Sequence, residues 1–271
     1  MVWMRPTKLA IETPRWKTEG GQAVAKVSGR CAAIEFVTTM TYVALCVPVQ
    51  ILSSANVAEF YAVVVILLTF AFRRETVAQM NPVGSFSFMM TGKITVQQCV
   101  ANVVCQLAGA CIGAAWVAVW IRNAQDPSIE LGSTMGYEGG AGYTRGRIFF
   151  AETISSWLYI VTMIQATHPS TRQNAFFGCV FIGLSYYVAL SITLGLTGGM
   201  INPARSFGTA IIASIKRTSQ DPSVPSKELW NRHWMGWVAP LVGGTYAIVT
   251  DFFLSNFKQT KNAEAPAWFE V

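Results

Sequence analysis

Six stretches of apolar residues divide this chain, and each approaches the length that a helix needs to cross a lipid bilayer. A bilayer core of about 30 Å takes roughly 20 helical residues. The stretches are residues 31–52, 56–72, 95–121, 148–167, 176–194 and 234–254. The second is the shortest, because the charged residues Arg73, Arg74 and Glu75 close it. Only 13% of the residues are charged, whereas 52% are hydrophobic, which is unusual for a soluble domain. We therefore expect an all-α, multi-pass integral membrane protein.

The charged residues lie mainly in tails and loops. The net charge is +6, but the lysines and arginines are not concentrated on one face, so we do not expect a nucleic-acid partner. Residues 1–30 form a polar, basic tail without an apolar segment of signal-peptide length, which predicts no cleaved secretory signal but leaves an organelle transit peptide open. Residues 255–271 form a second polar tail. Loop charges favour a cytoplasmic location for both tails.

Two Asn-Pro pairs interrupt the pattern of spans. Asn81-Pro82-Val83 lies between the second and third stretches, and Asn202-Pro203-Ala204 lies between the fifth and sixth. Asparagine is a favoured helix N-cap and proline is favoured at the next position, so each pair predicts the start of a helix. The apolar segments that follow, residues 84–90 and 205–215, are too short to cross the membrane. We expect two half-helices, the first ending at Thr91-Gly92 and the second at Lys216-Arg217.

The two halves of the chain repeat the same order of elements. Residues 31–121 and 147–254 each contain three spans and one half-helix, and an acidic residue, Glu35 or Glu152, lies inside the first span of each half. Because the number of spans in each half is odd, the second half enters the membrane in the opposite orientation. Inverted repeats of this kind bring their broken helices together near the membrane midplane.

The motifs of the second half resemble those of the major intrinsic protein family, the aquaporins and glycerol facilitators. Residues 197–208 read TGGMINPARSFG, and residues 233–240 read HWMGWVAP. The resemblance covers residues 31–254. It implies six spanning helices with two re-entrant half-helices, a passive channel for water and other small neutral solutes that excludes protons and ions, and a homotetramer in membrane lipid. It implies no enzyme activity, catalytic residue, metal or cofactor.

The resemblance also assigns roles to particular residues. The two pore motifs are Asn81, Pro82 and Val83 in the first half, and Asn202, Pro203 and Ala204 in the second. The selectivity filter is Tyr61, Leu190, Gly199 and Arg205. Glu35 and Glu152 are structural braces that accept hydrogen bonds from the re-entrant loops. Leu190 replaces the histidine that is common in strict water channels, whereas Ser206, Ala210 and Trp237 are typical of the water-channel branch.

The first half departs from the family pattern. Residues 73–80 read RRETVAQM, where the family has an approach containing glycine and histidine, and Val83 replaces alanine. Arg73 and Arg74 can fill the cytoplasmic vestibule as a plug, or they can extend to the membrane surface. The alternative to a channel is therefore a structural subunit of a larger membrane assembly with a narrowed or closed pore, in which the N-terminal tail docks on a partner.

Overall fold

The computed structural model describes residues 27–52, 55–121, 144–168, 175–220 and 227–259. The helices in these ranges are α1 (Gly29–Leu52), α2 (Val57–Phe72), α3 (Pro82–Met90), α4 (Val96–Trp120), α5 (Arg145–Ala166), α6 (Ala175–Thr197), α7 (Pro203–Gln220), α8 (Lys227–Asn231) and α9 (Met235–Gln259). The predicted docking segment of the N-terminal tail lies outside the described residues, as does most of the C-terminal tail.

Five helical segments of the described chain are long and apolar enough to cross a membrane. They are α1, α4, α5, α6 and the segment Leu229–Leu254. The remaining predicted span, the second in chain order, is α2, which has 16 residues and is apolar but shorter. At 1.5 Å per residue it covers only about 24 Å. The outer surface exposes large apolar side chains such as Trp116, Val119 and Phe150, as a lipid-facing surface requires.

Two pairs of long helices pack in the same way. A Cβ atom added to Gly109 on α4 would lie 2.4 Å from the carbonyl oxygen of Phe36 on α1. A Cβ atom added to Gly243 on α9 would lie 2.4 Å from the carbonyl oxygen of Thr153 on α5. Phe36 and Thr153 each follow the acidic residue of their half. The α1–α4 and α5–α9 pairs are thus copies of one unit, as the predicted repeat requires.

The half-helices begin where the sequence predicts. Asn81 caps α3, because its side-chain oxygen accepts a hydrogen bond from the backbone nitrogen of Val83 at 2.9 Å. Asn202 caps α7 in the same way, accepting from Ala204 at 3.0 Å. The first half-helix also ends as predicted, since α3 stops at Met90 and Gly92 adopts the left-handed conformation with φ 70°. Both helices therefore present their N-terminal ends, with their partial positive charge, at the two Asn-Pro pairs.

The predicted end of the second half-helix is wrong. Lys216 and Arg217 do not stop α7, which continues to Gln220. Lysine and arginine are good helix formers, so a basic pair does not terminate a helix unless a residue with a different backbone preference follows. Here the first such residue is Pro222, and a proline disfavours the helical conformation of the residue before it.

Candidate functional site

The two half-helix tips are joined by hydrogen bonds between the loops that precede them. The Asn81 side-chain nitrogen donates to the carbonyl oxygen of Ile201 at 3.1 Å. The Asn202 side-chain nitrogen donates to the carbonyl oxygen of Met80 at 2.7 Å. Each asparagine thus binds the residue immediately before the other asparagine. Both side chains are at most 3% exposed, so the structure brings the two motifs together in the interior of the protein.

Glu35 holds the first loop through four hydrogen bonds. Its carboxylate accepts from the backbone nitrogens of Gln79 and Met80, both at 2.8 Å. It also accepts from the hydroxyl of Thr76 at 3.2 Å and from the side-chain nitrogen of Gln106 at 2.8 Å. Every donor except Gln106 belongs to the loop before Asn81. The carboxylate therefore fixes the backbone that positions this asparagine.

Glu152 holds the second loop with fewer bonds. Its Oε1 atom accepts from the hydroxyl of Thr197 and from the backbone nitrogen of Met200, the latter at 3.1 Å. Within the described part of the chain its Oε2 atom has no hydrogen-bond partner, although the side chain is fully buried. The packing equivalence of α4 and α9 places Pro240 at the position that Gln106 occupies in the first half. Proline has no side-chain donor, and this explains the difference between the two braces.

The backbone of the first loop adopts a conformation that suits glycine better than the residues present. Ala78 and Met80 both have φ 51°, whereas the second loop has Gly198 and Gly199 with φ 78° and 81°. A non-glycine residue in this region costs on the order of 1–2 kcal/mol. The hydrogen bonds from Gln79 and Met80 to Glu35 offset this strain and keep the Met80 carbonyl oxygen directed at Asn202.

The four predicted filter residues form one cluster beside Asn202. Arg205 is fully buried; its guanidinium donates to the carbonyl oxygen of Gly199 at 3.1 Å and lies 5.5 Å from the ring centre of Tyr61. Leu190 packs directly on Gly199, since a Cβ atom on that glycine would lie 2.3 Å from the leucine Cδ1 atom. A buried cation inside a membrane protein is expensive unless it lines a polar path or has partners.

Comparison of the sequence with known proteins identifies a family for this chain. The family model described as "Major intrinsic protein" matches residues 22–250. The chain belongs to the major intrinsic protein family. Members of this family are integral, multi-pass membrane proteins that act as channels and not as enzymes. The predictions of membrane location and of no enzyme activity are therefore confirmed. Membership does not favour the alternative of a purely structural subunit.

Individual members of the family show how far the likeness extends. An aquaporin PIP-type from Atriplex canescens is 26% identical over 80% of this chain and 77% of its own length. A probable aquaporin PIP2-8 from Arabidopsis thaliana is 31% identical over 62% of this chain, and the match spans only 56% of that relative. The aquaglyceroporin structure from Plasmodium falciparum has a TM-score of 0.66 at 18% identity, covering 80% of this chain and 92% of that one; it confirms the fold.

Gln50 belongs to the filter cluster, although the sequence motifs of the major intrinsic protein family did not point to it. Its side-chain oxygen accepts hydrogen bonds from the guanidinium of Arg205 and from the hydroxyl of Tyr61, the latter at 3.0 Å. The signal that could have found it is a polar residue near the end of an apolar span, eight residues after Tyr42 on α1. Such residues are rarely placed in a membrane helix without a partner.

The arginines that could plug the cytoplasmic vestibule lie at the end of α2. Arg73 folds back on its own helix, where its guanidinium donates to the carbonyl oxygen of Phe70 at 2.7 Å and lies 3.9 Å from the ring centre of that residue. Arg74 is exposed. Glu75 pairs with Arg30 at 2.7 Å. These interactions of Arg73 are with its own helix and not with the pore motifs. To plug the pore, its side chain would need a different conformation.

Lys93 fastens the end of the first half-helix to α5. Its amine donates to the carbonyl oxygen of Ile164 at 2.9 Å and to the hydroxyl of Thr167 at 2.7 Å. Burial lowers the pKa of Lys93 to about 8, and the charge of Asp251 acts in the opposite direction. A lysine near the C-terminal end of a helix also complements the partial negative charge of its last carbonyl groups. This contact anchors the C-terminal end of α3 to the C-terminal end of α5.

Proposed function

We propose that this protein is a passive membrane channel for water and other small neutral solutes, and that it excludes protons and ions. The observation that carries the proposal is the pair of facing N-caps at Asn81 and Asn202, with Arg205 beside them. In this arrangement the positive ends of two buried half-helices point at one place in the protein interior. Such a place repels cations and attracts the oxygen atoms of neutral molecules.

The hydrogen bonds of the two asparagines support an oriented path for water. Each side-chain oxygen is used in capping its own half-helix, and each amide nitrogen donates one hydrogen to the opposite loop. An amide nitrogen carries two hydrogens, so each asparagine retains one for a permeating oxygen. A water that accepts from both amides directs its own hydrogens away from them, which interrupts the chain of hydrogen bonds that would carry protons.

The filter residues support selectivity by size and charge. Arg205, Tyr61, Leu190 and Gly199 lie together, and Arg205 is one helical turn beyond Asn202 on α7. Arg205 supplies charge and hydrogen-bond donors on one side, whereas Leu190 supplies an apolar wall. We propose that this combination admits water and small neutral solutes and rejects cations. Family membership further supports a homotetramer with one pore in each subunit.

The experiment is stopped-flow swelling of vesicles that contain the purified protein, compared with empty vesicles of the same lipid. Water, glycerol, urea and ammonia are tested in turn, and proton entry is followed in the same vesicles with a pH-sensitive dye. We expect fast water movement without increased proton entry. If the vesicles with protein swell no faster than empty vesicles for any of the four solutes, the proposal is contradicted and the structural-subunit alternative is favoured. Cross-linking of the purified protein in detergent tests the tetramer.

A further inference from the structure

Four buried tyrosines meet beside the Arg205 filter. Tyr42, Tyr61, Tyr159 and Tyr186 come from α1, α2, α5 and α6, and each is at most 2% exposed. The ring centres of Tyr42 and Tyr61 are 5.7 Å apart, and those of Tyr42 and Tyr186 are 6.1 Å apart. The rings of Tyr61 and Tyr186 stack at 6.4 Å, and Tyr159 meets Tyr186 edge-on at 4.9 Å. We call these four residues the tyrosine cluster.

The tyrosine cluster joins helices that do not pack directly on each other. In the described part of the chain, α1 packs on α2 and α4, and α6 packs on α2 and α5, but α1 and α6 do not pack extensively on each other. Nevertheless the hydroxyls of Tyr42 and Tyr186 are hydrogen-bonded to each other. Two side chains from helices that are not close neighbours therefore meet across the space that α1, α2, α6 and α5 enclose.

The tyrosine cluster adjoins the filter residues on three helices, α1, α2 and α6. Tyr186 lies one helical turn before Leu190 on α6, and Tyr42 lies two turns before Gln50 on α1. Leu190 and Gln50 both contact filter residues. Tyr61 belongs to both groups, since its ring contacts Tyr42 and lies under the guanidinium of Arg205. The Tyr42–Tyr186 pair therefore lies directly beside the filter residues.

We propose that the hydrogen-bonded pair of Tyr42 and Tyr186 is a gate across the permeation path, a second constriction that adds to the Arg205 filter; this rests on the channel function proposed above. Two oxygen atoms in hydrogen-bond contact leave no space between them for a third. A permeating molecule must break this bond and displace at least one ring. A water molecule needs only a small displacement of one hydroxyl, whereas a larger solute needs a larger displacement of rings that Tyr61 and Tyr159 hold in place.

The gate predicts different effects for two substitutions. Tyr42→Phe removes one hydroxyl and keeps the ring, so the pair no longer holds itself closed. The water permeability per reconstituted protein molecule should rise about fivefold, the factor that corresponds to the loss of one ordinary hydrogen bond, while glycerol permeability stays equal to that of the parent. Tyr186→Val removes the ring as well. That variant should be at least as fast for water, and it should also pass urea and glycerol faster than the parent.

The test is stopped-flow swelling of vesicles that hold equal amounts of parent, Tyr42→Phe, Tyr186→Val or a control, Tyr246→Val. Tyr246 is 56% exposed on α9, so the control repeats the tyrosine-to-valine change on the outer surface. Faster water flux in the two cluster variants than in the conducting parent and the control supports the gate. Because Tyr42→Phe preserves the ring, it keeps the test decisive should Tyr186→Val assemble poorly.

Three results overturn the gate. If the parent conducts and Tyr42→Phe matches it, the hydroxyl pair does not limit flow, and the proposed channel function stands without it. If Tyr42→Phe is slower than the parent, the hydroxyls assist water instead of blocking it. If neither the parent nor any variant exceeds empty vesicles, both the gate and the channel function fail.

Discussion

Val83 shows at the level of single residues how a departure from the family motif is accommodated. Valine in place of alanine is one of the departures from the family pattern that left a narrowed pore as an alternative. In the structure Val83 is 3% exposed and faces α9, where its Cγ1 atom would lie 2.4 Å from a Cβ atom on Gly244. The absence of a side chain at Gly244 makes room for the larger residue. The two positions therefore depend on each other.

We predict that Gly244→Ala and Val83→Ala each destabilise the protein, whereas the double variant regains part of the loss. The first change forces a clash with Val83 and should cost about 1–3 kcal/mol. The second leaves a cavity, and the double variant restores contact between the two alanines, so the effects should not add. The measurement is thermal unfolding of the protein in detergent.

Gly195→Ala is the matched control for this cycle, because a Cβ atom on Gly195 would meet no other atom within 4 Å. It should leave the unfolding temperature nearly unchanged. Additive effects of the two single substitutions would show that Val83 and Gly244 are not coupled.

Arg205 is the residue on which the proposed exclusion of cations depends most. Arg205→Val removes both the charge and much of the volume from the filter, so glycerol flux and proton entry should both rise. A reduction of only about 1.4 kcal/mol in the barrier to protons would increase their entry about tenfold. Vesicle swelling and a pH-sensitive dye measure the two effects, with the exposed Arg147→Val as the control. A variant that conducts water but handles glycerol and protons like the parent would refute this role.

The sequence predicted the filter only in part. The family resemblance implied Tyr61, Leu190, Gly199 and Arg205, which the structure brings together. The sequence did not identify Gln50 and Tyr42, because their roles depend on which face of α1 turns inward. The hydrophobic pattern of a helix within a membrane protein gives little indication of that face. Tyr186 was not identified for the same reason, since α6 has no distinct polar face.

The elements that hold the half-helices differ between the two halves more than the sequence indicated. Both glutamates were predicted as braces, and both accept hydrogen bonds from a re-entrant loop. However, both oxygens of Glu35 are used, whereas Glu152 uses one oxygen. The sequence could not show this, because it depends on the alignment of Gln106 and Pro240 in three dimensions.

We predict that Glu35→Gln is more harmful than Glu152→Gln. In a glutamine at position 35, an amide NH2 group would replace one of the two oxygens that accept hydrogen bonds. That group cannot accept the two bonds donated to this oxygen, so the protein should be destabilised by about 1–3 kcal/mol. At position 152 the amide nitrogen can occupy the place of the Oε2 atom, and the retained oxygen keeps its partners. Thermal unfolding of both variants in detergent tests this difference, and equal losses would contradict it.

At the scale of the whole molecule, the inverted repeat explains why the pore motifs meet. Two copies of one helical unit enter the membrane in opposite orientations, and each contributes a half-helix that begins in the interior. The sequence predicted this architecture from the odd number of spans and the two Asn-Pro pairs. It could not predict the packing of the tyrosine cluster, since that depends on contacts between helices of the two repeats.

The most direct test of the channel itself is the temperature dependence of water permeability in vesicles with and without the protein. Water that crosses lipid must leave its hydrogen bonds, so its permeation rises steeply with temperature, whereas water in a polar pore exchanges those bonds for others. We expect vesicles with the protein to swell faster than empty vesicles and with a weaker temperature dependence. Identical rates with the same steep temperature dependence in both preparations would contradict a water-conducting pore.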